Sequence, residues 1–137
     1  MKGGENKMGK TIISVLGVVL TLVGIIGFIP ALTPDGNLLG IFAVNSLHNV
    51  VHLLTGLAAL YAVYMGGPTM VKLYAQVFGV VYALVSVLGL IAGNLLGLFP
   101  INGADNGLHL LLTIVLLYVG FFMSNTAVNK TTTNPVA

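Results

Sequence analysis

Long apolar runs alternate along this chain with isolated polar residues. From Lys10 onward the charges stand singly at Lys10, Asp35, Lys72, Asp105 and Lys130. The runs between them, residues 11–34, 36–71, 73–104 and 106–129, each exceed the roughly 20 residues needed to cross a hydrocarbon core of about 30 Å. The pattern predicts four transmembrane helices: Thr11 to Ile29, about Leu38 to Met65, about Met70 to Phe99, and about Asp105 to Met123. The expected fold is all-α, an up-down-up-down four-helix transmembrane bundle over residues 11–124. Residues 1–10 and 125–137 read as small polar cytoplasmic tails, too poor in apolar side chains to pack.

A polar pattern is superimposed twice on the apolar background. Asn45, His48, Asn49, His52, Leu53 and Leu54 return, at an offset of 57, as Asn102, Asp105, Asn106, His109, Leu110 and Leu111. Positions i, i+3, i+4 and i+7 share one face of a helix, so each copy makes a polar stripe on an apolar rod. Gly27-Phe28-Ile29-Pro30 closes the first helix as Gly97-Leu98-Phe99-Pro100 closes the third, since proline stops a helix at a turn. The chain therefore reads as two pseudo-equivalent hairpins related by an axis along the membrane normal, which sets helices two and four face to face. This second echo is out of register with the stripes. The first outer loop is accordingly expected to carry an insertion around Thr33-Pro34-Asp35-Gly36-Asn37.

Composition agrees with a membrane protein. Only 6% of residues are charged and 57% are hydrophobic, and the mean hydropathy is +1.05. On an in–out–in–out–in path Lys2, Lys7, Lys10, Lys72 and Lys130 all fall on one side, so both termini are expected in the cytoplasm. Tyr61, Tyr64, Tyr74, Tyr118, Phe121 and Phe122 gather at the same ends, as an interfacial aromatic belt does. The first apolar run is too long for a signal peptide and has no Ala-x-Ala-like cleavage site, so it is expected to remain. The pI near 9.1 reflects a few lysines at a membrane surface, and no nucleic-acid partner is expected. The chain has no Cys and no Arg. This excludes thiolate chemistry and the usual bidentate clamp for phosphate or carboxylate. No Gly-rich loop with a following Lys marks a nucleotide site, and Ser46 lacks the setting of a nucleophile elbow. No enzyme apparatus is visible.

The stripes carry the candidate chemistry. Polar groups at membrane depth are costly and by default mark a site. His48, His52, Asp105 and His109, two from each facing helix, have the spacing to converge on one divalent transition metal. Zn²⁺ is the first choice, with Cu²⁺, Ni²⁺ and Fe²⁺ beside it. Asn45, Asn49, Asn102 and Asn106 would then orient the imidazoles. The site should open toward the extracytoplasmic side. Other readings stay open: an interhelical hydrogen-bond network without ligand, as in a structural or assembly subunit; haem b between His52 and His109; and proton or ion translocation. Asp105 also reads as a helix cap. Haem requires so small a bundle to open considerably, and translocation is opposed by the nearly dry helix segments beyond the histidines. Gly89, Gly93 and Gly97 form a small-x-x-x-small series for close helix packing, within the bundle or in a homo-oligomer.

The elements Asn45-Ser46-Leu47-His48-Asn49-Val50-Val51-His52-Leu53-Leu54-x-Gly56 and Asn102-x-x-Asp105-x-x-Leu108-His109 resemble the DUF4383 family, small bacterial four-helix membrane proteins of unassigned function. The likeness covers roughly residues 10–125. It implies a four-span protein of the bacterial plasma membrane, with the lipid bilayer as its partner, and carries no substrate or reaction. One departure is the loop after helix two, which holds Lys72 alone where the family has arginines.

Overall fold

The computed structural model describes residues 2–123; the expected C-terminal tail lies outside them. Helix α1 spans Lys2–Ile26, starting well before Thr11, because nothing in the polar segment stops the helix as proline would. Two 3₁₀ turns, Pro30–Leu32 and Pro34–Gly36, follow it. A short antiparallel hairpin of β1 (Asn37–Leu38) and β2 (Phe42–Ala43) then leads into α2 (Ser46–Tyr61). Helix α2 runs through a π-helical turn, Ala62–Gly66, to α3 (Gly67–Ala92). A second hairpin, β3 (Asn94–Leu95) with β4 (Phe99–Pro100), precedes α4 (Gly103–Leu117) and its closing π-helical turn, Tyr118–Phe122.

Two further helix boundaries differ from those that hydropathy predicts. Helix two begins at Ser46 rather than near Leu38, because the Asn45 side chain accepts the His48 backbone N–H at 2.8 Å and starts the helix there. Helix three ends at Ala92 rather than Phe99, because Gly93 takes φ 65° and leaves the helix. Apolar residues that cannot be told from helix by hydropathy form the two hairpins instead.

The hairpins are alike in backbone. Leu39 and Gly40 sit at φ 52° and 73°, Leu96 and Gly97 at φ 54° and 71°. A leucine in the left-handed region is uncommon, and here it occurs at the matching turn position twice. Asn37 to Asn45 thus corresponds to Asn94 to Asn102, at the same offset of 57 as the histidine stripes. The counterpart of Pro100 is Ala43, and the echo between Pro30 and Pro100 does not reflect the structure.

Three stretches are long and apolar enough to cross a membrane: Lys7–Ile26, Ser46–Ala92 and Gly103–Phe122. The middle one is not a single rod. Gly67 has φ 74°, and the Tyr74 hydroxyl donates to the Thr55 carbonyl at 3.0 Å. Residues 55 and 74 would lie almost 30 Å apart on one straight helix, so α3 folds back beside α2.

Glycines let the helices pair closely. Helix α1 lies along α2, where a Cβ on Gly24 would stand 2.6 Å from the Leu53 backbone nitrogen. Helix α3 lies along α4, where Gly120 abuts Gln76, whose Nε2 donates to the Gly120 carbonyl at 3.0 Å. Within the chain, Gly89, Gly93 and Gly97 do not form one helix-packing face. Gly93 and Gly97 lie outside α3 with positive φ, and the group facing Gly89 is the Asn106 side chain. The buried core, including Ile13, Leu20, Ala59, Tyr74, Leu112 and Leu116, draws on all four helices. Large apolar side chains such as Leu54, Leu84, Leu90 and Ile114 point outward.

Candidate metal centre

Two capped helix starts build the site. Asn45 begins α2 so that His48 falls in its first turn and His52 one turn later. Asn102 begins α4 in the same way, with Asp105 in the first turn and His109 one turn later. A spacing of four residues keeps each pair on one face, and both faces turn inward. The ring centroids of His48 and His52 lie 4.4 Å apart, those of His48 and His109 6.0 Å, and those of His52 and His109 6.4 Å. One ring nitrogen from each of the three lies within 4.8 Å of the others. All three residues are at least 96% buried, and their Nδ1 atoms have no hydrogen-bond partner.

Asp105 does not join this group. Its Oδ2 accepts the Asn102 backbone N–H at 2.9 Å and the Ala43 N–H at 3.1 Å. It therefore completes the capping box of α4 and holds the first hairpin. His48, the counterpart of Asp105 on α2, has no such duty. The second hairpin carries Pro100 where the first has Ala43, and proline has no N–H to be accepted. Asp105 still lies within Coulombic reach of His48 and is the one buried acidic residue among those described.

The four asparagines make contacts away from the imidazoles, although Asn49 Oδ1 and Asn106 Oδ1 are buried without a hydrogen-bond partner. Asn45 and Asn102 cap their helices, and each also donates across to the other hairpin: Asn45 Nδ2 to the Leu98 carbonyl, Asn102 Nδ2 to the Ile41 carbonyl, both at 2.8 Å. Asn49 packs on Gly27, just past the end of α1. Asn106 packs on Gly89 of α3, donating to its carbonyl at 3.4 Å. Among the described residues, no asparagine side chain hydrogen-bonds to an imidazole.

Beside the three histidines is a cavity of about 110 Å³, walled by Val51, Phe78, Val81, Tyr82, Val85, Leu95, Phe99 and Ile101, with Thr55 at its edge. Sequence reasoning assigned no role here to Phe78 or Phe99. Phe78, Tyr82 and Val85 recur at helical spacing on α3, which was the available signal. The Tyr82 ring lies 5.7 Å from that of His109, and its buried hydroxyl has no partner. Beyond the histidines the polar groups are self-contained: Thr55 donates to the Val51 carbonyl, Thr113 to the His109 carbonyl, and Ser86 pairs with Thr113. Past them come Ala59, Ala62, Leu116 and Val119, all buried and apolar.

Chemically, this is a set of three closely spaced, buried imidazoles, next to a small and mostly apolar space. A family model described as "Domain of unknown function (DUF4383)" matches residues 10–122. No curated protein and no solved structure is detectably similar to the chain.

Proposed function

The chain belongs to the DUF4383 family, and on that footing we propose that it is an integral membrane protein binding one divalent transition metal through His48, His52 and His109. In this reading α1 to α4 form an up-down-up-down transmembrane bundle of two hairpins, α1–α2 and α3–α4, arisen by duplication and related by an axis along the membrane normal. Both termini are cytoplasmic, and the metal lies in the extracytoplasmic half.

The observation that carries the proposal is the cluster of three buried imidazoles, each offering one ring nitrogen within 4.8 Å of the others and each with an unpartnered Nδ1. A buried polar atom left unpaired costs about 1–3 kcal/mol, and three together are the mark of a ligand-binding set. Three imidazoles suit Zn²⁺ first, with Cu²⁺, Ni²⁺ and Fe²⁺ close in preference, and leave a coordination position for a further ligand. Asp105 supplies nearby negative charge without being a ligand. A purely structural hydrogen-bond network is less well supported, because none of the three Nδ1 atoms has a partner. Haem fits poorly in a cavity of about 110 Å³, below the roughly 300 Å³ of ordinary ligand pockets. Translocation is opposed by the apolar core past Thr55 and Thr113.

Elemental analysis and an absorption spectrum of protein purified without chelator test the reading. One metal per chain, lost in a His52→Ala/His109→Ala variant, is the expected result, and a Soret band would redirect the site to haem. Metal-free, colourless protein, equally stable with and without added Zn²⁺, would sink it.

A further inference from the structure

The cavity beside the histidines is open in a particular direction. The pairs α1–α2 and α3–α4 are tightly packed, whereas α2 and α3 come into close backbone contact at few places. Between them, Val51 of α2 and Val81 of α3 both line the cavity, yet keep 38% and 43% of their surface exposed. These two side chains form the lips of a lateral opening on the face that a bilayer would cover. Tyr82 also lines the cavity and is only 5% exposed; its buried hydroxyl makes no hydrogen bond of good geometry and has the Thr55 side chain close by.

We propose that this cavity is a binding site for a lipid-soluble molecule with a single-ring, oxygen-bearing head, the chemistry of a quinone, entering from the bilayer between Val51 and Val81. Size limits the head to a single ring that reaches into the open side, since an apolar cavity of about 150 Å³ holds benzene and this one measures about 110 Å³. The walls agree, because Phe78 and Phe99 offer aromatic surface for a flat ring. The polar end agrees as well. A ring carbonyl oxygen accepts the Tyr82 O–H, whereas an acyl chain in the same place leaves that hydroxyl unpaired. A tail longer than the cavity continues outward past the valines into lipid. This inference rests on the membrane embedding put forward above, which alkaline carbonate extraction checks separately, and it does not require the metal.

The test is equilibrium binding of decylbenzoquinone to the full chain in nanodiscs, with empty nanodiscs as the partition baseline and decylbenzene as the oxygen-free control. The protein is assayed both Zn²⁺-loaded and chelator-stripped. Saturable binding of one molecule per chain is expected in both states, at least tenfold tighter than decylbenzene. Tyr82→Phe should bring the two compounds to within threefold of each other, and Val81→Phe should weaken quinone binding at least tenfold. Val51→Phe, on the opposite lip, serves if Val81→Phe fails to fold. No saturable binding above the nanodisc baseline would overturn the proposal. So would equal affinity for decylbenzene, or folded lip variants that bind as well as the parent. Binding seen only with Zn²⁺ loaded would also overturn it in this form, by making the metal the ligand's partner.

Discussion

Asn45 and Asn102 hold each other's hairpins. The Asn45 amide donates to the Leu98 carbonyl and the Asn102 amide to the Ile41 carbonyl, each at 2.8 Å, while each side-chain oxygen caps its own helix. One residue type thus sets where α2 and α4 begin and locks the two hairpins together above the histidines. Replacing either asparagine by alanine removes a cap of about 0.5–2 kcal/mol and a hydrogen bond of about 0.5–1.5 kcal/mol. The expected loss is roughly 1–3 kcal/mol in reversible unfolding in mixed micelles. Asn45→Asp keeps the capping oxygen, loses the donor, and should cost less than Asn45→Ala.

The turn glycines have a conformational role. Gly40 and Gly97 sit at φ 73° and 71° with open space where a Cβ would be, so any penalty for Gly→Ala comes from backbone strain and not from a clash. That strain is about 1–2 kcal/mol, and the same unfolding assay should show a loss of that order at each position. A change below a few tenths of a kcal/mol would contradict the turn geometry.

Helix-packing glycines should behave oppositely to an open one. Gly24→Val drives a side chain into the Leu53 backbone and is expected to destabilise by about 1–3 kcal/mol or more. Gly107 lies within α4 with nothing near its Cβ position. Gly107→Ala should therefore stabilise by about 0.5–1 kcal/mol through helix propensity alone. Thermal unfolding of the two variants in parallel separates close packing from propensity.

Metal affinity should depend on each histidine and on pH. Single His48→Ala, His52→Ala and His109→Ala variants are each expected to weaken Zn²⁺ binding at least a hundredfold in competition with a chromophoric chelator. Protons and the metal compete for the same imidazole lone pairs, so affinity falls as pH is lowered and recovers as it is raised. An affinity that did not fall even in strongly acidic solution would place the metal elsewhere.

Asp105→Asn separates the structural role of that residue from its charge. The amide oxygen is able to keep an acceptor for Ala43 and Asn102, whereas the negative charge near His48 is lost. Stability should drop modestly, by roughly 1 kcal/mol as a charged hydrogen bond becomes neutral. Zn²⁺ affinity should fall while the stoichiometry stays at one. Loss of stoichiometric metal would instead make Asp105 a ligand.

Much of this protein was legible before any coordinates. Spaced single charges and unbroken apolar runs dictate long apolar helices, because burial in lipid or core rewards nothing else over such lengths. Period-3.6 spacing puts His48 with His52, and Asp105 with His109, on one face each. Family membership followed from the same residues. The hairpins were hidden because hydropathy does not distinguish an apolar strand or turn from an apolar helix. Asn37-Leu38-Leu39-Gly40-Ile41-Phe42 against Asn94-Leu95-Leu96-Gly97-Leu98-Phe99 was present to be read, but the prolines drew the comparison to the wrong register. Tertiary structure alone decided which stripe residues meet. Three imidazoles converge because they point into the space between α2, α3 and α4. Asp105 is held back by the Ala43 N–H, a donor that Pro100 lacks in the other half, and Asn45, Asn102 and Asn106 donate to carbonyls of neighbouring elements. Spacing along one helix fixes a face, but which partners that face meets depends on contacts tens of residues away, and no local pattern encodes those.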